Sequence, residues 1–126
     1  HIIPLTRQMR QLFTLMKQVN GVSRYLFPRV RNRNKTISRD TVANALRDNG
    51  YEDRQDAHGI RSLFRTYLTQ KGIDSMIAEL AIAHSPATVK GKLEAIYDRY
   101  DHLDEIKQAF QLMNDYCEQC GMILTL

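Results

Sequence analysis

The 126-residue sequence contains no long apolar run, so no membrane-spanning helix is predicted in it. No stretch approaches the roughly 18 apolar residues that a helix needs to cross a bilayer. The opening residues, HIIPLTRQMRQ, lack the apolar segment that follows a basic start in a signal peptide. Because the chain begins with His1 rather than methionine, we expect it to be a fragment of a longer protein.

Cysteine is scarce, and Cys117 and Cys120 form one C-x-x-C pair near the end of the sequence. A structural zinc site needs a second pair of ligands at suitable spacing, which the sequence does not supply. A redox-active pair needs a βαβ context, whereas these residues follow a helical pattern. We therefore expect reduced thiols and no metal site, which favours a cytoplasmic protein.

Alternating strand patterns of useful length are absent as well, so we expect one mainly α-helical domain over residues 1–126. The residues HIIP could end a strand, and residues 23–36 are predicted to form a loop. Elsewhere apolar residues recur at helical spacing, most clearly in the stripe of Ile60, Leu63, Phe64, Tyr67 and Leu68. The predicted helices cover residues 6–20, 37–51 with Ser38 as N-cap, 56–71, 74–83, 87–96 and 102–119.

Charge is unevenly spread along the sequence. The net charge of +4 divides into +9 over residues 1–72 and −5 over residues 73–126. The basic excess peaks at residues 24–39, RYLFPRVRNRNKTISR, which contain six basic residues and no acid. Such a block favours a polyanionic partner, most often nucleic acid, and a solvated loop explains the charge equally well.

His58 and Arg61 stand three residues apart in the motif HGIR, near the start of the third predicted helix. They lie with Arg65 on a flank away from the apolar stripe, and Asp56 or a neighbour is expected to cap the helix. Backbone N–H groups at a helix start favour an anion, and a guanidinium matches two phosphate oxygens. The motif thus predicts a phosphate-binding corner, although a surface His and Arg are the commoner explanation of this spacing alone.

The order of the motifs resembles the tyrosine recombinases, also called phage-type integrases. HGIR is followed by ELAIAHS at 79–85 and AIYDRYDHLDE at 95–105. More narrowly, the sequence resembles the integrases of satellite phages and genomic islands. There YLFP followed by ISRDTVANALRDNGY is similar to the F-P loop and the next helix, and the resemblance extends over about residues 1–118.

The resemblance implies a partial catalytic core of a DNA breaking-and-rejoining enzyme, in which the N-terminal hairpin and first catalytic helix are missing. HIIPL is similar to the strand that leaves that hairpin. The implied catalytic residues are His58 and Arg61 of the H-x-x-R motif, the next histidine, His84, and the nucleophile Tyr97, with Tyr100 as a second candidate. The implied DNA contacts are Arg29, Arg31, Arg33, Lys35, Arg39 and Arg65.

The activity implied by the resemblance is site-specific DNA recombination or integration through a 3′-phosphotyrosine. The partner would be double-stranded DNA at attachment sites, bound by a homo-tetramer, with no metal or other cofactor. The first arginine and the hairpin lysine of the family would lie upstream, because Arg7 and Arg10 follow HIIPL and lack the flanking pattern. We therefore expect the fragment to be inactive alone.

Two other functions fit parts of the sequence. TISRDTVANALRDNGY has the pattern of a recognition helix, which suits a non-catalytic helix-turn-helix DNA-binding module. A helical interaction protein with surface charges only is the other alternative. The hypotheses differ in whether the catalytic candidates converge on one basic concavity. Taken singly, His84 continues the register of Ile77 and Leu80 and would be a core histidine, and Tyr97 would be a packed tyrosine.

Overall fold

The computed structural model describes residues 2–84 and 102–125. Five helices make up 56% of this part of the chain, and the prediction of a mainly helical fold is confirmed. None of the described helices is long and apolar enough to cross a membrane. The elements are α1 (Arg7–Asn20), β1 (Pro28–Arg29), β2 (Asn32–Thr36), α2 (Thr41–Asp48), α3 (Ala57–Gln70), α4 (Ser75–Ala81) and α5 (Leu103–Gln119).

Four of the predicted helices begin and end close to the observed bounds, and α2 is shorter than predicted. At its start a turn takes the place of helix, where the Ser38 carbonyl accepts from the Thr41 N–H at 3.1 Å and the Ser38 hydroxyl accepts from the Asp40 N–H. At its end Asn49 is the C-cap residue, and the Tyr51 N–H turns back to the Leu46 carbonyl. Asp40, not Ser38, is the N-cap residue. Residues 2–6 form neither helix nor strand, so no strand is present at HIIP in the described residues. The helix predicted at 87–96 lies outside the described residues.

The prediction of a loop at residues 23–36 was wrong, because this segment contains the antiparallel hairpin β1–β2. Pro28 pairs with Thr36 and Arg29 with Asn32, with an irregular register between them. All five residues of β2 are exposed. A strand that is polar on both faces has no apolar alternation, and this alternation is what identifies a strand in a sequence.

The chain divides into two compact units, of which the first is called here the core unit. Its described residues are 2–7, 61–84 and 102–123. The rings of Phe64 and Phe110 pack at 5.1 Å and those of Tyr67 and Tyr116 stack at 4.3 Å. All apolar side chains that are buried in the described residues belong to this unit: Leu68, Ile77, Ala78, Leu80, Ala81, Ile106 and Ala109.

The helical stripe predicted on α3 is only partly buried, since Ile60 and Leu63 are exposed. At the start of α1, Arg7 donates from Nη2 to Glu118 Oε2 at 2.5 Å. This hydrogen bond, with the negative charge of Glu118, raises the pKa of the Arg7 guanidinium. Arg7 is thus an ion-pair partner of α5, in keeping with the sequence argument against a catalytic role for it.

The second unit, called here the hairpin unit, contains residues 8–60 and the chain end from Leu124. Asn20 is buried at the end of α1 and links this helix to residues 24–39, called here the hairpin segment. Its Nδ2 donates to the Leu26 carbonyl at 2.5 Å, and its own carbonyl accepts from Arg33 at 3.2 Å. The chain passes from one unit to the other after Arg7, after Ile60 and after Ile123, and the single domain over residues 1–126 stays a prediction.

Candidate functional site

The start of α3 is capped by Asp56, as the sequence suggested. The Asp56 side chain accepts from the Gly59 N–H, and its carbonyl accepts the first helical bond, from Ile60, at 3.2 Å. A Cβ at Gly59 would lie 3.1 Å from the Asp56 carboxylate and from the Gln55 amide, so glycine leaves room for this cap. His58 is therefore held in the exposed first turn of the helix.

Arg61 lies one turn further along α3, in the core unit. Its Nη1 donates to the carbonyl oxygen of Ile82 at 2.6 Å. Ile82 is the C-cap residue of α4, where carbonyl groups have no partner within the helix. This charge-assisted bond fixes the guanidinium of the H-x-x-R motif at the C-terminal end of α4, two residues before His84.

The C-terminal end of α4 is a Schellman turn, in which the chain reverses immediately after the helix. The His84 N–H donates to the Glu79 carbonyl at 3.0 Å, and the Ala83 N–H donates to the Leu80 carbonyl at 3.1 Å. Ala83 adopts the left-handed conformation that this turn requires, with φ at +61°. The turn carries His84 out of the helical register, and its side chain is 50% exposed. The core-histidine explanation of His84 was therefore wrong.

Glu79 connects the side chains of Arg65 and His84 at the end of α4. Its Oε2 lies 3.0 Å from Nδ1 of His84, and its Oε1 forms an ion pair with Nε of Arg65. The Glu79 side chain is only 21% exposed, against 50% for Arg65 and for His84. A charged group that is mostly removed from water needs such partners. Arg61, Arg65, Glu79 and His84 are called here the α4 corner.

Two of the four predicted catalytic residues, Arg61 and His84, are bonded to the C-terminal end of α4, one to the Ile82 carbonyl and one to Glu79. His58 lies in the hairpin unit, on the first turn of α3. Tyr97 and the second candidate, Tyr100, lie outside the described residues. Arg65, predicted to contact DNA, has its Nε engaged by Glu79.

The other predicted DNA contacts lie on or beside the hairpin β1–β2. All of them are exposed, and no carboxylate of the described residues forms an ion pair with any of them: Arg29, Arg31, Arg33, Lys35 and Arg39. Uncompensated positive charge on an exposed ribbon attracts a polyanion. The basic excess that the sequence shows at residues 24–39, the hairpin segment, is thus carried by exposed side chains.

The cysteines form no disulfide: Cys117 and Cys120 are both free thiols. Partial burial, with the neighbouring Cys120, raises the pKa of the Cys117 thiol, which disfavours its reactive thiolate form. No cluster of His, Cys, Asp and Glu that could hold a metal ion occurs in residues 2–84 and 102–125.

Sequence reasoning missed Glu79 and Ala83. Glu79 stands five residues before His84, a spacing that does not bring two side chains together on a continuous helix. A Schellman turn does so, because it bonds the residue after the left-handed one to the carbonyl five positions earlier. Its usual marker is glycine, and ELAIAHS contains none.

Known proteins with similar sequences are integrases of phages and prophages. The chain is 34% identical over 122 residues to the integrase of Enterobacteria phage P4, covering 94% of this chain and 27% of that protein. It is 31% identical over 125 residues to the prophage integrase IntZ of Escherichia coli, covering 98% of this chain and 29% of IntZ. With the integrase of Shigella phage Sf6 it shares 24% identity over 120 residues, covering 94% and 30%.

The chain spans less than a third of the length of these relatives. No family model matches the sequence, and no solved structure matches it. Six curated proteins match in all, and those described above are integrases by name. The motifs HGIR and ELAIAHS, whose arginine and histidine are both bonded to the end of α4, lie within a match that covers nearly the whole sequence. Over nearly its whole length the chain is therefore similar to integrases of phages and prophages, as a segment that corresponds to 27–30% of their length.

Proposed function

We propose that this chain is the C-terminal part of the catalytic domain of a tyrosine-type site-specific recombinase. The observation that carries the proposal is that Arg61 and His84 are both bonded to the end of α4, Arg61 to the Ile82 carbonyl and His84 to Glu79. These are the residues that the family motifs assign to the scissile phosphate. The integrase relatives support recombination at this general level. Beyond recombination in general, we propose that a tyrosine is the nucleophile, that His58, Arg61, His84 and Tyr97 are catalytic, and that the chain is only part of the catalytic domain.

In the proposed reaction the phenol oxygen of Tyr97 attacks the phosphorus of a DNA phosphodiester. The new tyrosine–phosphorus bond forms as the bond from phosphorus to the 5′ oxygen breaks, which leaves a 3′-phosphotyrosine and a free 5′ hydroxyl. The phenol, with a pKa near 10, must lose its proton to attack, and His58 is the proposed acceptor. The 5′ oxygen takes a proton from a group outside this chain.

Arg61 and His84 act on the phosphate itself. A guanidinium stabilises the negative charge that builds on the non-bridging oxygens in the pentacovalent transition state, and the histidine donates a hydrogen bond to the same group. Their anchoring to the C-terminal end of α4 keeps both groups in place before DNA arrives. The energy stored in the phosphotyrosine allows the strands to be rejoined without ATP.

The hairpin segment is the proposed contact for the DNA backbone next to the attachment site. Its six exposed cations, five of which are predicted DNA contacts, would release counterions on binding, so affinity would fall steeply with salt. The complete protein is proposed to act as a homo-tetramer on double-stranded DNA. The chain alone is expected to be inactive, because loss of one oxyanion-type donor costs about 10²–10³ in rate and here an arginine and a lysine would be missing.

The test is a chimera in which this chain replaces the matching segment of the phage P4 integrase. With a nicked suicide DNA substrate of that integrase, we expect a covalent protein–DNA adduct from the chimera and none from the 126-residue chain alone. Tyr97→Phe should abolish the adduct, whereas the matched variant Tyr100→Phe should retain it. An adduct that survives Tyr97→Phe but not Tyr100→Phe would identify Tyr100 as the nucleophile. Survival in the double variant would exclude both tyrosines as the nucleophile and refute the proposed reaction.

The helix-turn-helix alternative is less well supported. The segment TISRDTVANALRDNGY forms only the eight-residue helix α2, and a β-hairpin precedes it rather than a helix. A DNA-binding module of that kind also leaves the α4 corner without a role. It predicts that Tyr97→Phe and His84→Gln have no effect on any DNA reaction of the chimera.

A further inference from the structure

We propose that Glu79 is a positioning residue that holds His84 with its Nδ1 protonated and its Nε2 directed to a DNA phosphate oxygen, and that Arg65 holds Glu79 for this purpose. The inference rests on the proposed function and adds to it a residue that the sequence motifs do not assign. It also gives Arg65 a task inside the protein in place of the predicted contact with DNA.

The tautomer follows from the chemistry of the partners. An ionised carboxylate only accepts hydrogen bonds, so the ring nitrogen 3.0 Å from Glu79 Oε2 must carry a proton. That nitrogen is Nδ1, which leaves Nε2 as the nitrogen available for a ligand. When the ring is doubly protonated, Nε2–H donates to a phosphate oxygen, as the proposed reaction requires.

Two hydrogen bonds to Glu79 fix the position of the His84 ring. Glu79 accepts from the His84 backbone N–H through its carbonyl and from the His84 side chain through its carboxylate, each at 3.0 Å. The left-handed Ala83 between them makes both bonds possible, because it turns the chain back over the last turn of α4. A residue joined to its partner through backbone and side chain loses little further freedom when a ligand binds.

Arg65 fixes the carboxylate from the neighbouring helix. Its Nε pairs with Oε1, which leaves Oε2 for His84, so the two oxygens of Glu79 have separate partners. The pair connects α3 with α4 within the core unit, one turn along α3 from Arg61. Both arginines of α3 therefore converge on the end of α4, one through a carbonyl and one through Glu79.

The first experiment measures the ring ¹⁵N shifts of His84 in the labelled 126-residue chain. We expect an Nδ1-protonated ring in the native chain, and in Glu79→Ala a shift towards the Nε2-protonated tautomer of a free histidine. Glu79→Gln keeps an accepting oxygen and should keep the Nδ1 proton. Glu105→Ala is the matched control, because Glu105 lies 3.2 Å from Nδ1 of His102 and its loss should move only that ring.

The second experiment measures adduct formation by the chimera. Partners that orient a metal-bound histidine are worth about 10–100-fold in function, and we expect a loss of that order in Glu79→Ala, with DNA affinity unchanged within about twofold. Glu79→Gln should recover part of the rate, and Glu105→Ala should retain all of it.

Two results would overturn the assignment. One is a native His84 ring without the Nδ1 proton, or ring shifts that Glu79→Ala leaves unchanged. The other is Glu79→Ala forming the adduct at the wild-type rate while Tyr97→Phe forms none, which refutes the positioning role and leaves the proposed function intact. A wild-type chimera that binds DNA without forming any adduct refutes the proposed function and the catalytic part of this inference together, while the ring shifts still decide whether Glu79 sets the tautomer.

Discussion

Helices α3 and α4 each end in a Schellman turn, but of these two turns only the one after α3 contains a glycine. After α3, Ile73 donates to the Leu68 carbonyl and Gly72 to the Thr69 carbonyl, each at 3.0 Å. After α4, His84 and Ala83 make the equivalent bonds. The left-handed residue is Gly72 in the first turn, with φ at +80°, and Ala83 in the second, with φ at +61°.

The two turns differ in the residue that comes directly after the left-handed position. Ile73 packs against the apolar core, so the first turn serves stability. His84 is half exposed and bonded to Glu79, so the residue at this position of the second turn adds no apolar contact to the core. An alanine in the left-handed region costs roughly 1–2 kcal/mol. Strain of this kind concentrates where function requires a fixed geometry, and here it lies directly before the proposed phosphate ligand.

The largest expected effects come from substituting, one at a time, the residues directly after the two left-handed positions. His84→Gln should lower the rate of adduct formation by the chimera about 10²–10³-fold, with a free energy of unfolding within about 0.5 kcal/mol of wild type. Ile73→Ala should do the opposite, with a loss of about 2 kcal/mol in stability and an unchanged rate under folding conditions. Urea unfolding and the suicide-substrate assay measure the two quantities. Equal effects of both variants on the rate would remove the distinction between the turns.

The next effect tests the backbone cost of the first turn. Gly72→Ala should destabilise the chain by about 1–2 kcal/mol, because an alanine there must adopt a positive φ. No atom lies within 4 Å of a Cβ built at Gly72, so the cost is conformational and not steric. Gly72→Asn is the matched control and should cost less, since asparagine tolerates this region. A midpoint of urea unfolding that is unchanged in Gly72→Ala would contradict the argument.

The two turns also show what could be predicted from this sequence. Gly72 marks the end of α3, and the periodic apolar residues gave helix bounds close to those observed for α1, α3, α4 and α5. Nothing in ELAIAHS marks a left-handed Ala83, so the helix was predicted to continue to residue 83 and His84 fell into register with the core. Glu79 was missed for the same reason, since its pairing exists only because the chain reverses.

The strand conformation of the hairpin segment was not predicted, for a different physical reason. A half-buried strand shows itself by alternation, and β2, with the sequence NRNKT, is exposed at every position. Its charge, in contrast, is visible in the sequence without any structure, and the five cations are predicted DNA contacts whatever their conformation. Composition thus predicted a polyanionic partner for this segment, whereas nothing in the sequence predicted its strand conformation.

A smaller gain in stability is expected when the second turn is made like the first. Ala83→Gly should raise the free energy of unfolding by up to about 1 kcal/mol, because glycine adopts the left-handed conformation without the Cβ clash. The hydrogen bonds of the turn are unchanged by this substitution, so His84 should keep its Nδ1 proton. Urea unfolding measures the first quantity and the ring ¹⁵N shifts the second. A destabilised Ala83→Gly would show that Ala83 is not strained in the native turn.

The smallest expected effect concerns the histidine–carboxylate pair that lacks such a turn. His102 and Glu105 lie three residues apart at the start of α5, with Nδ1 and Oε1 at 3.2 Å and the Glu105 side chain 49% exposed. Its own backbone N–H, and then His102, lower the pKa of Glu105. A lowered carboxyl pKa stabilises the fold above the unfolded-state value, and this contribution is lost as the pH falls through the folded-state value. We therefore expect wild type and Glu105→Gln to differ in stability at about pH 6 and to converge towards about pH 3 in urea unfolding. A difference that stays constant over this range would mean that the Glu105 charge makes no contribution to stability. The pair of His102 and Glu105 would then be a contact without an energetic role, unlike the pair of Glu79 and His84, which Arg65 and the turn at Ala83 hold in place.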